Sequence, residues 1–249
     1  MLRGIWVRFV LACATVLLAT PLTIVLLLVP RWSNLLVAVG KLWSRTMLGA
    51  TGTRVTFHGI DNAYRHSPCI FICNHQSIID IWAIFSFVPP ETRFVAKQEL
   101  FRLPFLGWAL RASGCISINR GRRAEAIRSL QVAGERIRVG RSVVLFPEGS
   151  RSDDGRLAPF KKGGFHLALQ AGVPVVPVAI TGSFDVMSKN KLTVTPGPVE
   201  VFVEPPIDVA RFQPDDYNGL LAEVHEIIER RFGGREPDGA AGAVPLGTS

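Results

Sequence analysis

The chain has 249 residues, of which 48% are hydrophobic, and a formal net charge of +8. This length suits one folded domain with enough buried surface for a stable core. Basic chains often bind nucleic acid, anionic lipid or phosphorylated substrates, but no RNP-like, zinc-finger or helix-turn-helix pattern supports the first of these.

The N-terminal region, residues 1–50, predicts a membrane anchor. Residues 9–29 carry no charged side chain, and as a helix they would reach about 30 Å, the thickness of a bilayer's hydrocarbon core. Residues 32–48 then place apolar side chains at helical spacing on one face. The region is either a span followed by an amphipathic helix or two helices in one leaflet. We favour such a retained anchor over a cleaved signal peptide because the apolar stretch is long.

Strands and helices alternate through residues 51–232, which predicts one α/β domain with a mixed, largely parallel sheet flanked by helices. The predicted strands are 54–59, 69–73, 92–96, 115–119, 142–146 and 173–180, and the predicted helices are 77–88, 122–139, 163–171 and 217–232. Residues 194–196 and 199–203 are expected to form a hairpin around Gly197, and two prolines make 173–180 an edge strand or an irregular ladder. Residues 233–249 are predicted to be disordered.

His75 and Asp80 are the first candidate pair for catalysis. On a regular helix two residues at this spacing lie about 140° apart and cannot easily meet. If His75 lies in the turn before the helix, with Ser77 as N-cap, its ring can fold back toward Asp80. The carboxylate would then bind one ring nitrogen and leave the other as a base. The four cysteines, Cys13, Cys69, Cys73 and Cys115, have no CxxC spacing, so we expect buried free thiols and no metal site.

Further candidate residues follow other predicted strands. Glu148, Gly149, Ser150 and Arg151 form a turn in which glycine permits close backbone approach and arginine can bind phosphate. Arg120 and Lys97 each follow another strand. In α/β sheets, ligands gather at the carboxyl ends of the strands. The sequence therefore predicts one site that joins His75 to these residues.

The chain resembles the glycerolipid acyltransferase family in four segments, which occur in the family's order as NHQSIID, GCISINR, FPEGSRS and VPVVPVAI. Within the family they are most similar to the motifs of bacterial 1-acylglycerol-3-phosphate acyltransferases. The resemblance covers about residues 30–210, and FVAKQEL and FKKGGF are also similar to the family's sequences. Two positions depart from the pattern: Ser150 stands where threonine is usual, and Ser117 where an aromatic or aliphatic residue is common.

The resemblance implies roles for the residues at the motif positions. His75 is expected to be the base and Asp80 the residue that orients it. Arg120, Glu148, Gly149, Ser150 and Arg151 are expected to hold the phosphate of the acceptor. Lys97 is a further substrate-binding candidate, and either Lys97 or backbone amides near the site are expected to stabilise the oxyanion.

The predicted reaction moves an acyl group from acyl-CoA or acyl-ACP to the free sn-2 hydroxyl of 1-acylglycerol-3-phosphate and gives phosphatidic acid. No metal and no tightly bound cofactor are expected, and the partners are the lysophospholipid, the acyl donor and membrane lipids, not nucleic acid. The expected location is the cytoplasmic face of a membrane, the inner membrane in a bacterium.

Three other functions stay open from the sequence. The acceptor can be another lyso-lipid, such as a lyso-ornithine lipid. A serine hydrolase is disfavoured because no G-x-S-x-G is present. A non-catalytic module for anionic lipid would bind membranes whether or not His75 is intact.

Overall fold

The computed structural model describes residues 2–19, 21, 33–119, 123–189, 191 and 193–232. Its helices are α1 (Leu2–Ala14), continued by a π-helical stretch at Thr15–Ala19, then α2 (Ser33–Thr51), α3 (Ile78–Phe87), α4 (Leu106–Ala112), α5 (Arg123–Arg138), α6 (Gly163–Ala171), α7 (Ser183–Val186) and α8 (Tyr217–Phe232). The strands are β1 (Arg54–His58), β2 (Ile70–Cys73), β3 (Arg93–Lys97), β4 (Ile116–Ile118), β5 (Val143–Leu145), β6 (Val175–Thr181) and β7 (Pro198–Val203). Short 3₁₀ turns occupy Ile60–Ala63, Gln98–Arg102 and Val209–Arg211.

These strands form one sheet in the order β1-β7-β6-β2-β5-β3-β4. The five strands β6, β2, β5, β3 and β4 run parallel to one another. Strand β7 is antiparallel to β6 and parallel to β1, so the last two strands run the other way. The prediction of an α/β fold with a mostly parallel sheet is confirmed.

The central strands are apolar on both faces because helices cover both faces. In β2, Phe71 and Cys73 belong to the core cluster under α1, α2 and α3, whereas Ile70 and Ile72 belong to the cluster under α5, α6 and α8. This arrangement explains why β2 is read in the sequence as an unbroken apolar run.

Strand β6 lies in the interior of the sheet, so its interpretation as an edge strand is wrong. It pairs with β2 on one side and β7 on the other. Pro177 lies just beyond the last β6–β7 pair, Val178 with Val203. Its carbonyl accepts a hydrogen bond from the Glu204 N–H (3.0 Å) on the β7 side. The missing N–H of Pro177 points to the same side, where the regular ladder has ended.

The predicted hairpin around Gly197 is also wrong. Pro198–Val203 forms a strand, but the segment before it belongs to no strand of the sheet. Val194 is buried, and the Thr195 N–H bonds the Val186 carbonyl (2.9 Å) at the end of α7. Strand β7 instead pairs with β1 and β6. Because β1 lies far from β7 in the chain, no local sequence pattern predicts that pairing.

Helix α2 packs closely on α3. Trp43 and Trp82 meet edge to face with their ring centroids 6.3 Å apart. A side chain at Gly40 would come within 2.8 Å of the Phe85 ring, so glycine permits the close approach of the two helices. The Trp43 indole also donates to the Thr15 hydroxyl at 3.2 Å and so connects α2 to the end of α1.

The N-terminal region exposes a row of large apolar side chains: Leu2, Ile5, Trp6, Phe9 and Leu17. Among the helices that the model describes, none is both long and apolar enough to cross a bilayer. Much of the apolar stretch 9–29 lies outside the described residues, as do Arg120 and the predicted disordered tail 233–249. The division of the chain at residue 50 stays a prediction.

Candidate active site

The turn Asn74–Ser77, which joins β2 to α3, is fixed at both ends. The Asn74 amide forms a pair of hydrogen bonds with the backbone of Ile180: it donates to the carbonyl (2.9 Å) and accepts from the N–H (2.7 Å). Ser77 is the N-cap of α3, as predicted, and its hydroxyl accepts from the Ile79 N–H at 3.3 Å. The same hydroxyl donates to the Met187 carbonyl at 2.5 Å. These bonds hold the backbone between them, where His75 lies.

His75 and Asp80 are in contact, with Nδ1 and Oδ2 3.0 Å apart. Asp80 is fully buried, and the same Oδ2 accepts from the N–H groups of Gln76 (2.6 Å) and Ser77 (2.8 Å). An ionised carboxylate can only accept hydrogen bonds, so Nδ1 carries the proton in this pair. The other ring nitrogen, Nε2, is then an acceptor and can act as a base.

The loop that follows β5 holds His75 from the other side. The Phe146 ring stacks on the imidazole with a centroid distance of 4.1 Å and an interplanar angle of 26°. The backbone N–H of His75 donates to Oε1 of Glu148 (2.5 Å), and its carbonyl accepts from the N–H of Ser152 (2.9 Å). With 6% of its surface exposed, His75 has little freedom to change its position.

Glu148 supports the backbone. Its second oxygen accepts from the Ala158 N–H (2.9 Å), so both carboxylate oxygens bind backbone N–H groups of the protein itself. Burial raises the pKa of Glu148 to about 7, against the hydrogen bonds from Ala158 and His75, which lower it. The sequence placed Glu148 among the phosphate-binding residues. In the structure its carboxylate connects the turn at His75 to the loop after β5, and its part in binding phosphate stays a prediction.

Cationic groups flank this loop. Gly149 has φ of +81°, in the left-handed region, and a Cβ there would lie 2.5 Å from Nζ of Lys161. The lysine ammonium therefore lies against the glycine backbone. Arg151 is half-buried and Ser150 exposed. Among the residues that the structure describes, neither the Arg151 guanidinium nor the Lys161 ammonium forms an ion pair or a side-chain hydrogen bond.

The other predicted residues lie farther along the same edge of the sheet. His75 follows β2 and Glu148 follows the adjacent strand β5, whereas Lys97 ends β3, the next strand. Neighbouring strands are about 4.8 Å apart, so β3 lies about 10 Å from β2. Lys97 is exposed and pairs with Glu99 at 3.4 Å. The structure brings Lys97 to the predicted edge but not into contact with His75.

Three residues of this site were missed by the sequence reasoning. Asn74 and Phe146 were read only as neighbours of the candidate residues, although both immediately adjoin a strand end. Lys161 precedes α6 and was not placed in the site; its membership of FKKGGF was the available signal. In the described part of the chain, no group of three or more His, Cys, Asp or Glu side chains could hold a metal ion.

The chain is similar to known proteins over most of its length. Residues 54–181 match the family model described as Acyltransferase. The chain is 32% identical to the 1-acyl-sn-glycerol-3-phosphate acyltransferase of Limnanthes alba, over 96% of this chain and 85% of that protein. It is 33% identical to the human 1-acyl-sn-glycerol-3-phosphate acyltransferase alpha, over 77% of this chain and 68% of that one.

A solved structure is similar over nearly the whole length. The crystal structure of the 1-acyl-sn-glycerophosphate (LPA) acyltransferase PlsC from Thermotoga maritima superimposes with a TM-score of 0.80 and 28% sequence identity. The alignment covers 95% of this chain and 97% of that chain.

Proposed function

Since the chain belongs to the acyltransferase family, we propose that it transfers an acyl group from a thioester to the free sn-2 hydroxyl of 1-acylglycerol-3-phosphate, giving phosphatidic acid. The acyl donor is acyl-CoA or acyl-ACP. The names of its relatives support this acceptor. The observation that carries the proposal is the buried His75–Asp80 pair at 3.0 Å, beside a loop with two cations that have no partner among the described residues.

In the proposed mechanism, Nε2 of His75 takes the proton of the acceptor hydroxyl while the oxygen attacks the thioester carbonyl. Asp80 keeps Nδ1 protonated and stabilises the imidazolium that forms. The tetrahedral intermediate then breaks its C–S bond, and the departing thiolate recovers the proton from His75. General-base assistance of this kind is typically worth about 10²–10⁴ in rate.

The acceptor phosphate is proposed to bind at the loop after β5. Arg151 offers a planar fork with two donors, and Gly149 allows the backbone to approach the phosphate. Arg120 and Lys97 are proposed to complete the phosphate site, and Ser150 offers its exposed hydroxyl. Fixing the phosphate positions the neighbouring hydroxyl for attack. The steps as written use the side chains of the protein and the two substrates, so the proposal includes no resident metal or cofactor.

The N-terminal region is proposed to hold the enzyme on the cytoplasmic face of a membrane, in a bacterium the inner membrane. Trp6 and Phe9 are more than half exposed on α1, on the same helix as Arg3 and Arg8. Exposed aromatic residues beside cations are typical of helices that lie in a membrane interface. This location would place the site where the lipid acceptor resides.

A matrix of donors and acceptors tests the proposal. The purified protein is given acyl-CoA or acyl-ACP together with 1-acylglycerol-3-phosphate or a lyso-ornithine lipid, and the release of thiol is measured. We expect the phosphate acceptor to be preferred and His75→Ala to lose at least 10²-fold in rate. His66→Ala, which removes an exposed histidine, is the control. Full activity of His75→Ala would refute the base, and preference for the lyso-ornithine lipid would reassign the acceptor.

A further inference from the structure

A cavity of about 450 Å³ lies between α2, β1 and the C-terminal end of α3. Its lining includes Lys41, Arg45 and Leu48 from α2, together with Phe57, Tyr64 and Phe87. Helix α3 begins near His75 and reaches the cavity at its last residue, Phe87, nine residues after its first, a distance of about 14 Å. The cavity is therefore separate from the candidate active site, and its volume falls in the range of small-molecule sites.

The cavity combines two cations with an apolar wall. Lys41 and Arg45 are four residues apart on α2 and so lie on the same side of the helix. Burial, followed by the charge of Arg45, lowers the pKa of Lys41. The charge of Glu91 acts on this pKa in the opposite direction but is the smallest of the three causes, and Glu91 is not among the residues that line the cavity. Two like charges held together in this way favour an anion between them.

An exposed apolar side chain of α2, Leu42, lies on the helix next to the cations of this cavity. Leu42 is 57% exposed, and at 100° per residue it lies about 60° around α2 from Arg45. Helix α2 is joined to α1, whose outer face carries Trp6 and Phe9.

We propose that this cavity binds one anionic phospholipid, with its phosphate between Lys41 and Arg45 and an acyl chain along Leu48, Phe57 and Phe87. The apolar wall favours a lipid over a soluble phosphate, which would use the cations alone. The inference rests on the proposed association of the N-terminal region with a membrane. It adds a second lipid site, distinct from the site at which acyl transfer is proposed.

Two variants separate a defined site from general attraction to a charged surface. Lys41→Gln combined with Arg45→Gln removes both cations. Gly49→Phe keeps the charge but fills the cavity, because Gly49 lines it and a Cβ there meets nothing within 4 Å. The matched control, Arg138→Gln with Arg230→Gln, removes two exposed cations from α5 and α8, which pack on the opposite face of the sheet.

Native mass spectrometry of the protein in detergent micelles measures the binding of phosphatidylglycerol, with phosphatidylcholine as the uncharged comparison. We expect one phosphatidylglycerol bound to the wild type. The double charge variant should bind it about 30-fold more weakly, since each basic residue near a membrane surface contributes about fivefold. Gly49→Phe should also weaken binding, and the control should match the wild type.

Equal affinity of the double charge variant and the control would overturn the proposal, as would displacement of the lipid by an equal concentration of inorganic phosphate. Thermal unfolding shows which variants are folded, and if Gly49→Phe does not fold, the charge variant decides. Flotation of the wild type with phosphatidylglycerol vesicles tests membrane association separately. Failure of flotation would refute the membrane location, while the micelle measurement would still decide the site.

Discussion

Replacing Glu148 by glutamine should change how stability depends on pH. The pKa of Glu148 is raised from 4.5 to about 7 in the folded protein, so the folded state binds a proton more tightly than the unfolded state. The stabilisation from this proton is complete below about pH 4.5 and is lost as pH rises through 7. The difference in pKa corresponds to about 3 kcal/mol at 1.36 kcal/mol per pKa unit. Glutamine does not titrate, so Glu148→Gln removes this dependence.

The same substitution should also lower the catalytic rate. The ionised carboxylate accepts from both His75 and Ala158, whereas an amide offers one carbonyl oxygen. One backbone N–H then loses its partner, at a cost of about 1–3 kcal/mol, and His75 is held less firmly. We expect kcat to fall about 10–100-fold, the scale of a displacement of about 1 Å at a catalytic group.

The assay is thermal unfolding, followed by tryptophan fluorescence, of the wild type and Glu148→Gln between pH 4.5 and 8. The Tm of the wild type relative to the variant should fall by about 6–12 °C across this range, at about 2–4 °C per kcal/mol for a chain of this size. Glu135→Gln, which removes an exposed carboxylate on α5, controls for the loss of a charge. Parallel Tm curves for wild type and Glu148→Gln would refute the reasoning.

Three further changes test the other parts of the site. Asp80→Asn should lower kcat by about 10⁴-fold with little change in KM, because Nδ1 loses the acceptor that keeps it protonated; an unchanged kcat in steady-state kinetics would contradict this role. Gly149→Ala and Gly140→Ala introduce a side chain at φ of +81° and +78°, so each should lose about 1–2 kcal/mol on thermal unfolding. Only the first should also impair activity, since only there does the new Cβ meet Lys161; equal activity of the two variants would count against a site at Gly149. Lys161→Ala should raise KM for the phosphate acceptor about tenfold, while Lys162→Ala should leave it unchanged, and equal KM values would remove Lys161 from the site.

The geometry at His75 could be predicted because it depends on local rules. Ser77 is a strong N-cap residue, and the preceding turn must then carry His75. The alignment of His75, Lys97 and Glu148 along one edge follows from the parallel strands that each of them ends. These predictions needed only the order of elements and the chemistry of a helix start.

Other features depend on contacts that leave no local pattern. The two bonds between Asn74 and Ile180 join residues over a hundred positions apart, and β7 pairs with β1 at a similar separation. The backbone contacts of Glu148 could not be predicted for a related reason. In the sequence it adjoins Arg151 and looks like part of a phosphate loop, whereas its burial and its bond to His75 appear only when β2 and β5 are adjacent.

The five-residue spacing of His75 and Asp80 has a structural cause in the cap of α3. Asp80 is the third residue of the helix, and its carboxylate accepts from the Ser77 N–H to complete a capping box. The same oxygen binds Nδ1 of His75, two residues before the cap. One carboxylate thus closes the helix start and orients the imidazole, so the stability of α3 and the position of the proposed base depend on a single side chain. An inserted or deleted residue between Ser77 and Asp80 would remove the capping contact and turn the carboxylate away from His75, because a helix turn fixes where the third residue points. The spacing is therefore set by helix capping, and the proposed chemistry uses a geometry that the fold already requires.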